Sequence, residues 1–244
     1  CFDKGQSKST YGTGCFMLMN IGKNFKLSQN KLLTTVAYKI GNEKMYCYEG
    51  SIFVAGSALQ WLRDKLFLFK DSSETDLLYS QANKTDNIIV VPALTGLGAP
   101  YWNPEVRGGI FGLTRNTSIP EIVKATLDSL AFQTLDLIKG MQKDAKMKIK
   151  DMRVDGGMIA NNNFIQSIAN ILQAKIIKPE NIETTALGAA YLAGLNAGII
   201  KDLKSINKLW KIKKTYTPKV KKYIIDKKVL KWNKAINLLI KYHS

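Results

Sequence analysis

Two short stretches carry residue types that handle anions. In the first, Thr13 stands between Gly12 and Gly14, inside a run, 8–20, that otherwise reads as a strand. A hydroxyl residue between two glycines can offer its side chain and backbone N–H groups to a phosphate or a ribose. The same spacing also fits a β-bulge with no ligand. In the second, residues 149–154 alternate apolar and polar like a strand and run into Asp155-Gly156-Gly157. Gly156 and Gly157 can take φ > 0 and let a ligand approach the backbone, or simply make a tight connection. Asn161, Asn162 and Asn163 follow as N-cap candidates for a helix whose apolar positions, Phe164, Ile165, Ile168, Ile171 and Leu172, fall at helical spacing. Free N–H groups and the helix dipole favour an anion at such an end, as in a nucleotide site.

Other chemistries are excluded. Cys1, Cys15 and Cys47 lack metal-ligand spacing and the single histidine is His243, which leaves no basis for zinc or histidine acid–base catalysis within this chain. An odd cysteine count with no secretory signal fits a reducing compartment, the cytoplasm. The net charge of +17 raises a polyanion-binding module as an alternative function. From Lys201 onward, however, fourteen lysines face only Asp202 and Asp226, without an arginine cluster or an aromatic RNA-binding pattern. That tail reads as a solvated basic face, with no nucleic-acid partner expected. No apolar run reaches the length of a membrane span, so no membrane insertion is expected. With 45% hydrophobic residues and four tryptophans, 244 residues can bury a sizeable core. The chain opens on Cys1 without a signal-peptide pattern and reads as a piece of something longer.

The elements that would position these residues follow from periodicity. Residues 32–38 and 44–49 read as strands of a hairpin turning at Gly41-Asn42, and together with 8–20 as an antiparallel meander. Residues 51–69 read as a helix holding Gly56, which costs roughly 1 kcal/mol relative to Ala, a loss that a close backbone, a ligand or tight packing alone would justify. Gln60 lies one turn on, on the same face. A short helix is expected over 77–84 and strands over 87–92, 110–113 and 174–177. Ser118-Ile119-Pro120-Glu121 is a capping box opening the longest helix. Residues 183–194 form a helix of small residues expected to lie close on the sheet. Val229, Trp232, Ile236, Leu239 and Ile240 mark a terminal amphipathic helix, read as docking on its own domain rather than on a membrane. The sum is an α/β domain, a mixed sheet with helices on both faces and ligands at the strand ends beside glycine turns.

Assembled in order, four motifs resemble the C-terminal half of the FGGY carbohydrate kinases, within the actin-like ATPase (ribonuclease H-like) superfamily, and among them the glycerol-phosphorylating branch. These are Thr10-Tyr11-Gly12-Thr13-Gly14-Cys15-Phe16-Met17-Leu18, the run from Val91 to Trp102, Arg153-Val154-Asp155-Gly156-Gly157, and the run from Thr185 to Gly194. Residues 108–128 also fit the family's second signature. The resemblance implies that 1–244 is a nucleotide-binding domain without its N-terminal partner domain, and that 203–244 is a basic extension. It implies ATP with Mg²⁺, and glycerol converted to glycerol 3-phosphate, or another sugar or polyol as acceptor. Gly12 and Thr13 would meet the phosphates, Gly56 and Gln60 would flank the adenosine, Gly156 and Gly157 would pack on the nucleotide, and Asn161 would bond the adenine. Phe16 would cover the carbon backbone of glycerol. The catalytic aspartate is expected before Cys1, so no catalytic or metal-binding residue is expected in this chain. Weak nucleotide binding without turnover is expected of it alone, and a homo-oligomer of the intact enzyme. The regulatory segment that the resemblance implies near 218–227 lacks the acidic residue expected midway, so that control is not expected.

Overall fold

The computed structural model describes residues 1–83 and 87–244. β1 (Ser7–Tyr11) and β2 (Cys15–Gly22) are an antiparallel hairpin. Gly12-Thr13-Gly14 is therefore its turn, not a bulge within one strand. β3 (Leu33–Ile40) and β4 (Glu43–Ile52) form the second expected hairpin. The expected meander is corrected: β4, not β3, pairs with β2. Burial explains the choice. β4 brings Tyr48 and Ile52 into the core, whereas β3 has no buried residue and so takes the edge. β7 (Asp151–Asp155) and β8 (Lys175–Pro179) run parallel to β1, and β9 (Ile212–Tyr216) closes the far edge antiparallel to β8. The full order is β3-β4-β2-β1-β7-β8-β9. Lys213 and Lys214 lie on that last strand and Lys211 just before it, a charge pattern that discourages edge-to-edge pairing. β5 (Ile89–Val91) and β6 (Gly109–Phe111) make a separate two-stranded sheet.

The helices differ from expectation at their starts. Ser51 and Ile52 still belong to β4, because Ile52 pairs with Cys15, so α1 covers only Gly56–Asp64. Gly56 is thus its first residue, not an interior one. α2 spans Glu74–Gln81 rather than 77–84, and Lys84 lies outside the described residues. The Glu74 carboxylate accepts the Lys70 and Asp71 N–H groups at 2.9 and 2.7 Å, which ties down the approach to α2.

α3 (Ile119–Ala145) and α4 (Asn162–Leu172) cover one face of the sheet. Tyr11, Met17, Met19, Met152, Val154 and Ile176 are fully or almost fully buried there. The Tyr11 ring meets Phe164 edge-on at 5.1 Å, and its hydroxyl bonds the Thr134 hydroxyl at 2.8 Å. On the other face α5 (Thr184–Asn196) stands off. None of its residues is buried, and a groove of about 310 Å³ separates it from Lys8, Leu18 and Arg153. The expected close packing on the sheet is corrected accordingly. α5 is small and apolar all round, so it has no single stripe to commit to one surface. After α6 (Leu203–Leu209), α7 (Lys222–Tyr242) docks on α3. Trp232 is fully buried, stacks on Phe132 at 5.5 Å, and donates Nε1–H to the Asp136 carboxylate at 2.7 Å.

Glu121 opens α3 as the capping box requires. Its carboxylate accepts the Ser118 N–H at 2.9 Å and the Asn83 N–H at 2.8 Å, and the Ser118 hydroxyl as well. The Ser118 hydroxyl, then the Asn83 N–H, hold the Glu121 carboxyl down from 4.5 to about 2. The folded value lies below the unfolded one, so this contribution is complete above pH 4.5 and disappears as pH falls toward 2. Thermal melts between pH 6 and 2.5 should show the native chain losing its advantage over Glu121→Gln across that window. A gap independent of pH would remove Glu121 from the acid response.

Candidate functional site

The hairpin turn and the start of α1 lock together through the backbone. Gly12 N–H donates to Gly14 O at 2.9 Å. The Ala55 and Ser57 N–H groups donate to Thr13 O at 2.9 and 3.0 Å, and Gly56 N–H donates to Gly12 O at 2.9 Å. α1 has no side-chain N-cap, and these carbonyls satisfy its first donors instead. A Cβ on Gly56 would lie 2.7 Å from the Gly12 oxygen and 3.5 Å from Met158 Sδ, so only glycine allows the approach. With its carbonyl committed, Thr13 is left with an exposed side chain, and its hydroxyl has no partner among the described residues.

The second glycine stretch divides its labour. Gly156 has φ +90°, and a Cβ there would sit 2.5 Å from Tyr11 O. Its missing side chain lets β7 meet the end of β1, and it does not line the cleft. Gly157 is the opposite case: a Cβ added to it meets nothing within 4 Å. It begins a single 3-10 turn, Gly157–Ala160, absent from the sequence expectation. Lys178 holds that turn from behind, donating Nζ–H to Ile159 O at 2.6 Å. Burial, with Lys213 and Lys214 nearby, pushes the Lys178 amine below its ordinary value.

Asn161 caps α4 as expected, its Oδ1 accepting Phe164 N–H at 2.7 Å. The expected anion site at this helix end is corrected. Asn163 N–H donates to Asp76 Oδ1 at 3.0 Å, so a carboxylate already occupies the positive end of α4. This end of the cleft suits an uncharged group rather than a phosphate.

Gly12, Thr13, Gly56, Gln60, Gly157 and Asn161 line one cleft of about 580 Å³. Ser72, Ser73, Thr75 and Asp76, from the start of α2, line it too. Sequence reasoning missed them, because a polar run at 71–76 looks like any solvated connection. Phe16 stands outside this cleft, 52% exposed at the tip of β2. Asp155 is also elsewhere. It lines the groove under α5, buried, with neither oxygen hydrogen-bonded among the described residues. Burial raises its carboxyl above the ordinary range, against the pull of Thr10 and of Lys8, whose Nζ is 3.7 Å away. Cys1, Cys15 and Cys47 are all unpaired. No helix among the described residues is long and apolar enough to cross a membrane.

Residues 8–197 match the C-terminal domain of the FGGY family of carbohydrate kinases. Glycerol kinase of Alkaliphilus metalliredigens is 46% identical over 242 residues, 99% of this chain and 48% of the relative. The structure of Plasmodium falciparum glycerol kinase with ADP superposes with a TM-score of 0.91 at 37% identity, covering 98% of this chain and 48% of the other. Ligand-bound xylulose kinase of Lactobacillus acidophilus gives 0.77 at 23% identity, covering 98% and 47%, a likeness of fold alone. The chain spans about half the length of the curated relatives it matches.

Proposed function

The chain belongs to the FGGY family of carbohydrate kinases, and from that premise we propose that it is the nucleotide-holding half of an enzyme that transfers the γ-phosphoryl group of ATP to glycerol. The observation that carries the reading is the convergence of residues from the hairpin turn, α1, the 3-10 turn and the α4 cap on one cleft. Phosphoryl transfer depends on positioning and electrostatic stabilisation more than on covalent help from the protein. In this reading the exposed Thr13 hydroxyl donates to a phosphate oxygen and Gly12 leaves that oxygen room. Gly56 and Gln60 border the adenosine, and Gly157 opens the space the nucleoside fills. Asn161 meets the base. Phe16, on its separate surface, covers the carbons of glycerol. The base that takes the glycerol hydroxyl proton, and the groups that grip glycerol, come from outside these 244 residues.

Mg²⁺ is the proposed companion of ATP. Among the described residues no group of three or more His, Cys, Asp or Glu gathers to hold a metal ion. In this reading the ion would enter with the nucleotide's phosphates and would offset their charge during transfer. The cytoplasm is the setting that goes with ATP as donor, and a homo-oligomer of the intact enzyme is proposed from the family resemblance alone.

The intact enzyme, supplied with MgATP and glycerol, should form glycerol 3-phosphate and ADP in equal amounts. Phosphorylation of a different polyol in preference to glycerol would move the enzyme elsewhere in the family. Thr13→Ala should slow transfer by about 1–3 kcal/mol, the range for losing a hydrogen bond to a charged group. The Thr13 hydroxyl has no partner among the described residues, so the melting temperature should not follow. Unchanged kinetics would take Thr13 out of the site.

A further inference from the structure

The α4 end of the cleft presents one donor and one acceptor whose identities the surrounding bonds fix. Asn161 Oδ1 must face the Phe164 N–H, which it accepts at 2.7 Å. Its amide nitrogen therefore points the other way, donating to Thr75 Oγ1 at 3.2 Å. The Thr75 hydroxyl hydrogen is itself committed to Ser72 O at 2.7 Å, so Oγ1 acts as acceptor. Asn161 is thereby held with its second amide hydrogen free: toward a ligand it is a donor. Asp76 is the counterpart. Its Oδ1 accepts both the Asn163 N–H and the Asn163 amide, at 3.0 and 2.9 Å, and its backbone oxygen accepts that amide at 3.0 Å. Its Oδ2 accepts nothing from the described residues, and Asp76 lines the cleft.

We infer that Asp76 sets the base specificity of this cleft, choosing 6-aminopurine over 6-oxopurine nucleotides. The inference rests on the nucleotide reading above. Adenine offers N7 as an acceptor and the 6-amino group as a donor side by side, which answers an amide N–H and a carboxylate oxygen. A 6-oxopurine puts a carbonyl oxygen where the amine would be, acceptor against carboxylate. The base then loses a bond and leaves two oxygens facing each other. The clasp between Asp76 and Asn163 fixes where that carboxylate stands and explains why α2, with no glycine turn of its own, contributes to the site.

The test is titration of the 244-residue chain with ADP and with IDP, which differ at position 6, followed by NMR shifts so that weak binding is measurable. ADP should bind about tenfold more tightly than IDP, toward the low end of what a matched donor–acceptor pair discriminates. Asp76→Asn keeps an oxygen for the Asn163 clasp and turns the free acceptor into a donor. It should bring the two affinities to within about threefold of each other. Asn163→Ala breaks the clasp but keeps the carboxylate, and should weaken both nucleotides together. Equal affinity of the native chain for ADP and IDP, or an unchanged ratio in Asp76→Asn, overturns the assignment of Asp76 alone. Binding of neither nucleotide overturns the nucleotide reading itself.

Discussion

Replacing Gly157 by leucine should abolish nucleotide binding, by at least about a hundredfold, while the chain melts where the native one does. The expectation comes from an asymmetry between neighbouring glycines. A Cβ at Gly157 meets nothing within 4 Å, and the residue does not need the left-handed region, so the fold accommodates a side chain there. Such a change should alter stability by no more than about 0.5 kcal/mol. The new side chain projects into the cleft, where a mostly buried ligand would need the same volume. Gly156→Ala and Gly56→Ala are the controls with the opposite signature. Their Cβ atoms would press on the Tyr11 and Gly12 carbonyl oxygens at 2.5 and 2.7 Å. Gly156 adds a strained φ of +90°, for which strain of about 1–3 kcal/mol is ordinary. These two should lose stability and binding together. Binding measured by fluorescent-nucleotide displacement beside a thermal melt separates the classes. Should Gly157→Leu bind like the native chain, the cleft is not where the nucleotide lies.

Trp232→Ala should be the most destabilising single change in the C-terminal region. The ring is fully buried and stacked on Phe132, so truncation removes transfer free energy and leaves a cavity, about 3–5 kcal/mol together. The indole N–H also serves Asp136, whose carboxylate takes the Tyr101 hydroxyl at 2.7 Å and is pushed above its ordinary value by burial. Trp232→Phe keeps most of the ring and removes that donor, and should cost about 1–3 kcal/mol. For a chain of this size the alanine variant should melt roughly 10 °C lower, at 2–4 °C per kcal/mol. Urea midpoints with unchanged slopes would attribute the difference to packing rather than to a looser native state. An alanine variant within 1 kcal/mol of the native chain would mean that α7 contributes little to the fold.

The same residues show how far the sequence reaches. Local chemistry alone determined the capping box at Ser118 and Glu121, the hairpin at Gly41-Asn42, the Asn161 cap and the helical stripe ending in Trp232. Each depends on contacts a few residues apart or on a periodic apolar face, and both are written along the chain. Recognition of the four motifs determined the family, which no single glycine turn could have done. Tertiary structure decided the rest, because it depends on which surfaces meet. Whether β3 or β4 lies beside β2 is a contest of burial between distant segments. The reason for glycine at 56 is a carbonyl forty-four residues earlier in the chain. Gly156 and Gly157 look interchangeable in the sequence, yet one faces Tyr11 and the other open space. Asp76 reads as part of a solvated connection until folding places it against the start of α4, where its carboxylate accepts the Asn163 N–H and occupies the helix end.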